Sequence, residues 1–354
     1  MNRLKSLPAN RYIDIALFLF LGLFPLLFTP FRTELMGKTI VFILFALSLD
    51  LVWGYTGLMS FGHAVLFGLG GYILALSFTF SKGVPDFMQR FGITEIPVFF
   101  RPLLDSNVAF LLGLVIPGLF AAFLGYFIFS SKVSGIFFSL ITLALSQICS
   151  TFLSNQQKYT NGSNGLGGLP RMLLFNVRLN LQQVYYIALA ICIVVYLLCL
   201  FLGRSRFGKI LQSIRENEPR LAFLGYKPAR YKIAVYTISG MLAGLAGMLY
   251  IPMNSFISPN DVGIALSTSV LIWVAVGGRG NLTGAIAGTI LVNWLQILLS
   301  EKFSDVWTLV LGILILLIVF VIPQGLVGKL IDMQYKYSAR NIIELADAET
   351  EGDK

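Results

Sequence analysis

The sequence predicts an all-α integral membrane protein with about ten transmembrane helices. Apolar residues make up 56% of its 354 residues and charged residues only 12%, whereas an average soluble domain is about a quarter charged. The charges also cluster in the gaps between long apolar stretches. Because a membrane-crossing helix needs ~20 apolar residues, such helices fill the chain and leave no room for a separate soluble domain.

The apolar stretches follow one another with short gaps, except for two long outer segments at 81–107 and 155–182. The first stretch follows a basic N-terminus but lacks the small-residue pattern of a cleavage site, so we expect an uncleaved helix rather than a signal peptide. The predicted spans are 12–30, 36–54, 58–80, 108–130, 134–154, 183–203, 231–252, 263–278, 283–300 and 306–323.

Residues 1–330 are therefore predicted to form one transmembrane domain, in which 204–230 is a long basic loop. The remaining residues, 331–354, end in an acidic run without a sustained apolar pattern. This composition predicts a disordered cytoplasmic tail, because such a segment cannot bury enough apolar surface to fold.

Most of the net charge lies in that basic loop and the residues beside it. Residues 204–232 carry eight basic and two acidic side chains, which is +6 of the chain's +9. In a multi-span protein a basic loop marks the cytoplasmic side, so we reject nucleic acid as its partner. Six predicted spans precede the loop and four follow it, which places both termini in the cytoplasm. Arg32 and Lys38, just after the first span, oppose this orientation.

The basic loop contains a predicted amphipathic helix over 207–217. Such a helix at a membrane surface lies either on lipid headgroups or in a partner protein. An overlapping GxxxxGK pattern at 203–209 is not a nucleotide site, because Ile210 stands where a hydroxyl residue would hold magnesium and no buried strand precedes it. The apolar residues that fall on one side of the helix are Phe207, Ile210, Leu211 and Ile214.

Two glycine-rich segments, 53–63 and 273–283, interrupt the apolar pattern in the two halves of the chain. Broken helices at membrane depth occur where they line a cavity or pack in protein, and a pair of them points to a transport site between two repeats. The internal repeat is weak. His63 has a second interpretation as a core histidine with satisfied hydrogen bonds. The candidate residues of a substrate path are Gly57, Ser60, Gly62, His63 and Gly278.

No catalytic or metal-binding pattern is legible, so we expect neither an enzyme nor a cofactor. There is one histidine, and the three cysteines lie in apolar stretches without metal-ligand spacing. The polar residues within the spans are mostly neutral. A proton-driven carrier needs a series of ionisable side chains within the membrane, and this chain has few of them. The energy for transport would then come from outside the chain, or the solute would flow passively. The neutral polar residues include Ser139, Thr142, Gln147, Asn254, Ser267, Thr268, Ser269, Asn293 and Gln296.

The residues from Gly208 to Glu218, with Phe223–Tyr226 and Tyr231–Lys232, resemble the cytoplasmic coupling loop of the permease subunits of ABC importers for branched-chain amino acids and related solutes. The resemblance extends from about Gly54 to Gly325. In that family the loop inserts into a cleft of the ATPase subunit. The coupling residues that the resemblance implies are Arg215, Glu216, Glu218 and Gly225.

Several segments are similar to the urea-importing branch of that family, and Leu58 stands where amino-acid permeases commonly carry glutamine. The glycine-rich stretch 161–170 has Gly167 where a threonine is common, and it favours neither branch. Urea or a short amide is therefore the expected solute. Branched-chain amino acids are the alternative, and a self-sufficient channel or carrier is the third reading. The segments similar to the urea branch are 53–63, 84–88, 223–226, 272–280 and 291–294.

The resemblance also implies the partners of the chain and its location. It implies a second, related permease subunit in a heterodimer, two cytoplasmic ATP-binding subunits and an external solute-binding protein. The chain itself would hydrolyse nothing, and it would reside in the lipid bilayer of a bacterial inner membrane.

Overall fold

A computed structural model describes residues 7–131, 133, 135–169, 173–174, 177–302, 309, 312–313 and 325. These residues form a bundle of α-helices that follows the apolar stretches of the sequence. In chain order the α-helices are α1 (Leu7–Leu27), α2 (Pro30–Thr56), α3 (His63–Phe80), α4 (Asp86–Gln89), α5 (Ser106–Ser130), α6 (Gly135–Asn155), α7 (Gln157–Thr160), α8 (Leu181–Arg204), α9 (Arg206–Phe223), α10 (Pro228–Asn254), α11 (Ile264–Gly277) and α12 (Leu282–Lys302).

Among the described residues, seven helices are long and apolar enough to cross a membrane, namely α2, α3, α5, α6, α8, α10 and α12. Two shorter apolar helices, Ile13–Leu27 within α1 and the whole of α11, match the other two of the first nine predicted spans. The all-α membrane fold is thus confirmed. The tenth predicted span, 306–323, lies mostly outside the described residues, and the predicted tail, 331–354, lies wholly outside them.

Several span boundaries differ from the prediction, among them the starts of α1 at Leu7 instead of 12 and of α2 at Pro30 instead of 36. Two of the differences have clear local reasons. The first helix ends at Leu27 rather than near 30, because Pro30 begins α2 after an extended Thr29, and proline suits the first turn of a helix. The third helix begins at His63 rather than 58. Gly57 has a φ of 78° and ends α2 in the left-handed region, where glycine carries no steric penalty. Residues 57–62 therefore form a break between α2 and α3.

The core of the bundle is built around α2, α3 and α10, and α10 packs against both of the others and against α5. Glycines allow this close approach, as small residues do at helix interfaces in membranes. A side chain on Gly70 of α3 or on Gly247 of α10 would collide with the backbone of the other helix. A Cβ on Gly240 would lie only 2.7 Å from the Cβ of Ala121 in α5.

The long outer segments meet each other at one end of the bundle. Lys82 Nζ donates a hydrogen bond of 2.9 Å to Gly168 O. Strand β1 (Leu166–Gly167) pairs antiparallel with β4 (Phe256–Ile257), which follows α10. A further short pair joins β2 (Leu173–Leu174) to β3 (Val177–Arg178). Since α9 precedes α10 and α10 spans about 40 Å, α9 lies at the opposite end.

Candidate functional site

The amphipathic helix that the sequence predicts is present as α9, which is longer and bent. The Ser205 side chain caps its start by accepting from Gly208 N at 3.3 Å. The backbone of Asn217 is non-helical (φ −159°, ψ 90°), and its Oδ1 accepts from Arg220 N at 3.0 Å. Asn217 thus ends one helical piece and caps the next. Of the predicted apolar face, Leu211 and Ile214 are buried and Phe207 and Ile210 are half-buried, and Leu221 in the second piece is also buried.

Arg215 points from α9 into the membrane domain. Its Nη1 donates a hydrogen bond of 2.5 Å to Gly54 O, near the end of α2. A Cβ on Gly57 would lie 3.1 Å from Arg215 Cγ, and a Cβ on Gly280 would lie 3.1 Å from Arg215 Nη1. The arginine side chain therefore fits where these glycines leave room, and it contacts both glycine-rich segments of the sequence.

Asp50 completes this junction from within α2. Its Oδ1 accepts a hydrogen bond of 2.7 Å from Gly280 N, in the turn between α11 and α12. Gly54 and Gly280 approach so closely that a Cβ on Gly54 would lie 2.6 Å from Gly280 N. Asp50 and Arg215 thus hold the end of α2 against the α11–α12 turn. We call the set Asp50, Gly54, Gly57, Arg215 and Gly280 the α9 junction.

Gly278, predicted in the substrate path, lies beside the α9 junction in the α11–α12 turn. Its φ of 109° is in a region that L-residues rarely adopt. The flanking helices are in close contact, since a Cβ on Gly284 would lie 3.0 Å from the carbonyl carbon of Gly277. Gly278 therefore shapes a tight turn two residues before Gly280 of the α9 junction. Its place in a substrate path stays a prediction.

Glu218, in the second piece of α9, is also held by the membrane domain. Lys232 Nζ lies 2.6 Å from both carboxylate oxygens of Glu218. The lysine side chain, near the start of α10, is 8% exposed, and that of Glu218 is 44% exposed. The lysine Nζ also lies 5.7 Å from the centre of the Phe129 ring. This pair fixes the second piece of α9 to α10.

The other two predicted coupling residues face outward. Glu216 is exposed, and Gly225 has a φ of 85° with open space around it. Beside them lies an outward group of apolar side chains, Phe223, Leu224 and Tyr226, with exposed fractions of 93%, 69% and 44%. The four coupling residues thus divide into an inward pair, Arg215 and Glu218, and an outward pair, Glu216 and Gly225.

Ser60 and His63 are fully buried. His63 Nε2 lies 2.9 Å from Ser48 Oγ in α2 and 3.3 Å from Ser239 Oγ in α10, and its ring stacks on Phe45. These are the surroundings of a core histidine that joins three helices. A contact of Ser60 or His63 with solute stays a prediction.

The break at 57–62 is held by hydroxyl side chains of α6. Ser139 Oγ donates to Met59 O at 2.7 Å, and Thr142 Oγ1 accepts from Phe61 N at 3.1 Å. Gly62 packs directly against the Thr142 backbone, where a side chain would not fit. Backbone groups that leave a helix within a membrane need such partners, so α6 supplies them.

The same face of α6 also holds a second irregular segment, 259–262, between α10 and α11. Ser146 Oγ donates to Val262 O, and Ser150 Oγ donates to Pro259 O, both at 3.0 Å. Burial raises the pKa of Asp261 in this segment, while hydrogen bonds from Ser258 act in the other direction.

The sequence interpretation missed the hydroxyl face of α6. The hydroxyl residues at 139, 142, 146 and 150 follow helical spacing, so this pattern was visible in the sequence.

The remaining motifs hold no further site within the part of the chain that the structure describes. The GxxxxGK stretch runs across the junction of α8 and α9, where Gly203 packs against the Tyr55 phenol and Gly208 packs against the Leu202 and Gly203 carbonyls. Among these residues, no three His, Cys, Asp or Glu side chains gather as a metal ion would require.

Comparisons with known proteins agree with this architecture. The profile of a family described as branched-chain amino acid transport system / permease component matches residues 31–319. The chain is 25% identical over 339 residues to the high-affinity branched-chain amino acid transport system permease protein LivM of Escherichia coli K12, which covers 88% of this chain and 73% of LivM. No solved structure matches the chain.

Two other relatives are also permeases. The probable branched-chain amino acid transport permease protein LivM of Methanocaldococcus jannaschii is 27% identical over 315 residues, which cover 80% of this chain and 89% of that protein. LivH of Escherichia coli K12 is 24% identical over 332 residues, covering 84% and 94%. These relatives are transport components and not enzymes, and the family profile covers most of the chain. The chain therefore belongs to the family of permease components of branched-chain amino acid transport systems.

Proposed function

We propose that this chain is the membrane-spanning subunit of an ATP-binding-cassette importer and that α9 is its coupling helix. The observation that best supports the proposal is that α9 has one side bound to the membrane domain and one side exposed. Arg215 and Glu218 bind the membrane domain, while Glu216, Phe223 and Leu224 face outward. A helix that only rested on lipid headgroups would not need to be bonded to α2 and α10 of the membrane domain.

The outward side of α9 has the composition of a protein-docking surface. Exposed aromatic and aliphatic side chains next to charged ones are typical of interfaces rather than of free surfaces. In the proposed importer this side meets an ATP-binding subunit. Closure of the two ATP-binding subunits would then push or pull α9 as a rigid body.

The α9 junction is the proposed point where that movement enters the membrane domain. Arg215 contacts the end of α2 and the α11–α12 turn at the same time, and Asp50 ties these two elements together. Both elements are interrupted by glycines, so they can adjust their backbone angles where continuous helices cannot. A shift of α9 would move both breaks at once.

We further propose that the chain works with a second, related permease. Escherichia coli K12 has both LivM and LivH, two different permease proteins that are similar to this chain, and this supports a heterodimer. An external solute-binding protein would meet the opposite end of the bundle, where the long segments are held by the β1–β4 pair. In this arrangement the subunit lies in the inner membrane of a bacterial cell. Helix α9 and both termini of the chain are on the cytoplasmic side.

Branched-chain amino acids are the proposed solutes, because each of the three relatives described above carries that description. Urea is the second candidate. The observation that favours it is Leu58, which is buried beside α6 where amino-acid permeases commonly carry glutamine. The matched relatives lend no support to urea, so it ranks below the amino acids.

Reconstitution into lipid vesicles tests both parts of this proposal. The complete complex, with its ATP-binding and solute-binding partners, is expected to accumulate radiolabelled leucine when ATP is supplied to the side of the ATP-binding subunits. Radiolabelled urea serves as the competing solute, and its uptake in place of leucine would overturn the choice of solute. The chain alone is the control, and solute flux through it without ATP would contradict an ATP-driven importer.

A further inference from the structure

Helix α6 presents polar side chains on its outer surface at membrane depth. Gln147 and Thr151 are both exposed, and Gln147 Nε2 lies 3.3 Å from Thr151 Oγ1. With a rise of about 1.5 Å per residue, Gln147 lies about 18 Å from the start of α6 and about 12 Å from its end. Gln147 is thus well inside the span, and Thr151 lies one turn further on, about 6 Å from the end of α6. We call these two side chains the α6 polar stripe.

Lipid hydrocarbon offers no hydrogen-bond partners to such a stripe. A glutamine amide has two donor hydrogens and an acceptor oxygen, and the contact with Thr151 uses only one donor. Unsatisfied polar groups are costly in lipid, so polar residues in spans face the bundle interior or a water-filled cavity. The outward direction of Gln147 therefore indicates water beside it.

The neighbouring outer face of α6 has the opposite character. Ile148 is 64% exposed and Phe152 61% exposed, and Phe137 and Ile141 continue the same apolar row. This row suits contact with lipid tails. The polar stripe is thus local: Ile136 and Leu140, which lie in line with Gln147 toward the start of α6, are apolar and 76% and 57% exposed. The polar surface is confined to the second half of the helix.

The inner face of α6, on the other side of the helix from this stripe, binds the two irregular segments 57–62 and 259–262. Ser139 and Thr142 hold the break at 57–62, which follows directly on Gly54 and Gly57 of the α9 junction. Ser146 and Ser150 hold the 259–262 segment that leads into α11. A shift at the α9 junction would therefore reach α6 through hydrogen-bonded backbone.

We infer that Gln147 and Thr151 line the solute path and form hydrogen bonds to the passing solute. This inference rests on the proposed importer function and assigns the contact to α6 instead of the buried Ser60 and His63. An amide and a hydroxyl offer both donors and acceptors without a net charge. They fit a small solute with amino, carboxylate or amide groups, and they bind it loosely enough for release.

Cysteine labelling in the assembled complex tests the position of the stripe. Cys149 of α6 is first replaced by serine, and Cys192 and Cys199 are buried. Single cysteines are then placed by Gln147→Cys and Thr151→Cys, with Ile148→Cys and Phe152→Cys as matched controls on the apolar row. In proteoliposomes, a charged, membrane-impermeant methanethiosulfonate is expected to label positions 147 and 151, and saturating leucine should slow this labelling severalfold. Positions 148 and 152 should stay unlabelled.

Each other pattern would overturn the inference. Absence of labelling at 147 and 151, equal labelling at all four positions, or labelling that leucine does not slow would each remove the stripe from the solute path. Labelling of the isolated chain that disappears in the complex would identify an interface with the second permease instead. ATP-driven uptake by the parental complex is measured in the same vesicles, and its absence would contradict the proposed function separately.

A kinetic measurement distinguishes solute contact from a structural role. Gln147→Leu keeps the size of the side chain but removes the amide, and it is expected to raise the KM for uptake about tenfold, the effect of losing one hydrogen bond. Ile148→Leu is the control and should leave both KM and the basal ATPase rate as in the parent. An unchanged KM for Gln147→Leu would refute the contact.

Discussion

Arg215 is one of the two α9 residues, with Glu218, whose side chains bind the membrane domain. Its side chain extends to the end of α2 and to the α11–α12 turn, which are far apart in sequence but adjacent in space. A single guanidinium nitrogen, Nη1, makes the hydrogen bond to Gly54 O and also lies closest to Gly280. The position therefore brings a positively charged donor to the place where these two elements meet.

Arg215→Ala is expected to lower the rate of ATP-driven uptake about tenfold or more while the chain still inserts and binds its partners. A hydrogen bond to a charged group contributes ~1.5–3 kcal/mol, and its loss would loosen α9 from the breaks that it moves. Uptake and ATPase activity are measured together in proteoliposomes. Continued ATP hydrolysis with little uptake is the expected result.

Lys209→Ala is the matched control, because Lys209 is an exposed basic residue on the same helix. It removes the same charge but no contact with the α9 junction, so uptake should stay close to that of the parent. Equal losses in both variants would show that only the charge of α9 matters.

Helix α6 binds two irregular backbone segments, 57–62 and 259–262, and holds them in place. Its four inward hydroxyls at 139, 142, 146 and 150 each pair with a backbone group outside α6. Hydroxyl groups usually satisfy their own helix in a membrane span. Here they stabilise breaks that would otherwise leave N–H and C=O groups without partners, which is the cost that excludes irregular backbone from lipid.

Thr142→Val is expected to lower the thermal midpoint of the purified chain in detergent. Valine has the shape of threonine but cannot accept the hydrogen bond from Phe61 N, and an unsatisfied buried donor costs about 1–3 kcal/mol. Thr151→Val, on the outer surface of the same helix, is the control and should shift the midpoint much less. If both variants melt alike, α6 does not hold the break.

At the scale of the whole molecule, the two ends of the bundle are built differently. One end carries α9 with its exposed Phe223 and Leu224, and the other carries the long segments tied by Lys82 and the β1–β4 pair. This polarity suits a protein that receives mechanical input at one end and solute at the other.

Glu216→Ala combined with Gly225→Asp is expected to abolish ATP-driven uptake while membrane insertion stays normal. Both changes fall on the outward side of α9, and a side chain at Gly225 is strained by its φ of 85°. Loss of binding between the variant and the ATP-binding subunit is measured by co-purification. Glu95→Ala removes an exposed carboxylate from another part of the surface and should have no effect. Wild-type uptake by the double variant would refute docking through α9.

The sequence alone determined the elements of this protein. Apolar runs of about twenty residues must form helices in a bilayer, so the nine spans within the described residues were predictable to within a few residues. The starts of α1 and α2 lie five and six residues before their predicted positions, and Pro30 and Gly57 account for the boundaries where α1 and α2 end. The amphipathic period of 207–217 likewise predicted which face of α9 would be buried.

Only the tertiary structure decided what each face meets. Arg215 and Glu216 are neighbours in sequence with the same polar character, yet one binds the membrane domain and the other faces outward. Ser60 lies in the break and His63 directly follows it, where the sequence suggests a path, yet both are fully buried, and His63 bonds to α2 and α10. Periodicity reports the environment along one helix. Contacts such as Arg215 with Gly54 depend on how helices distant in sequence pack together, and no local pattern contains that information.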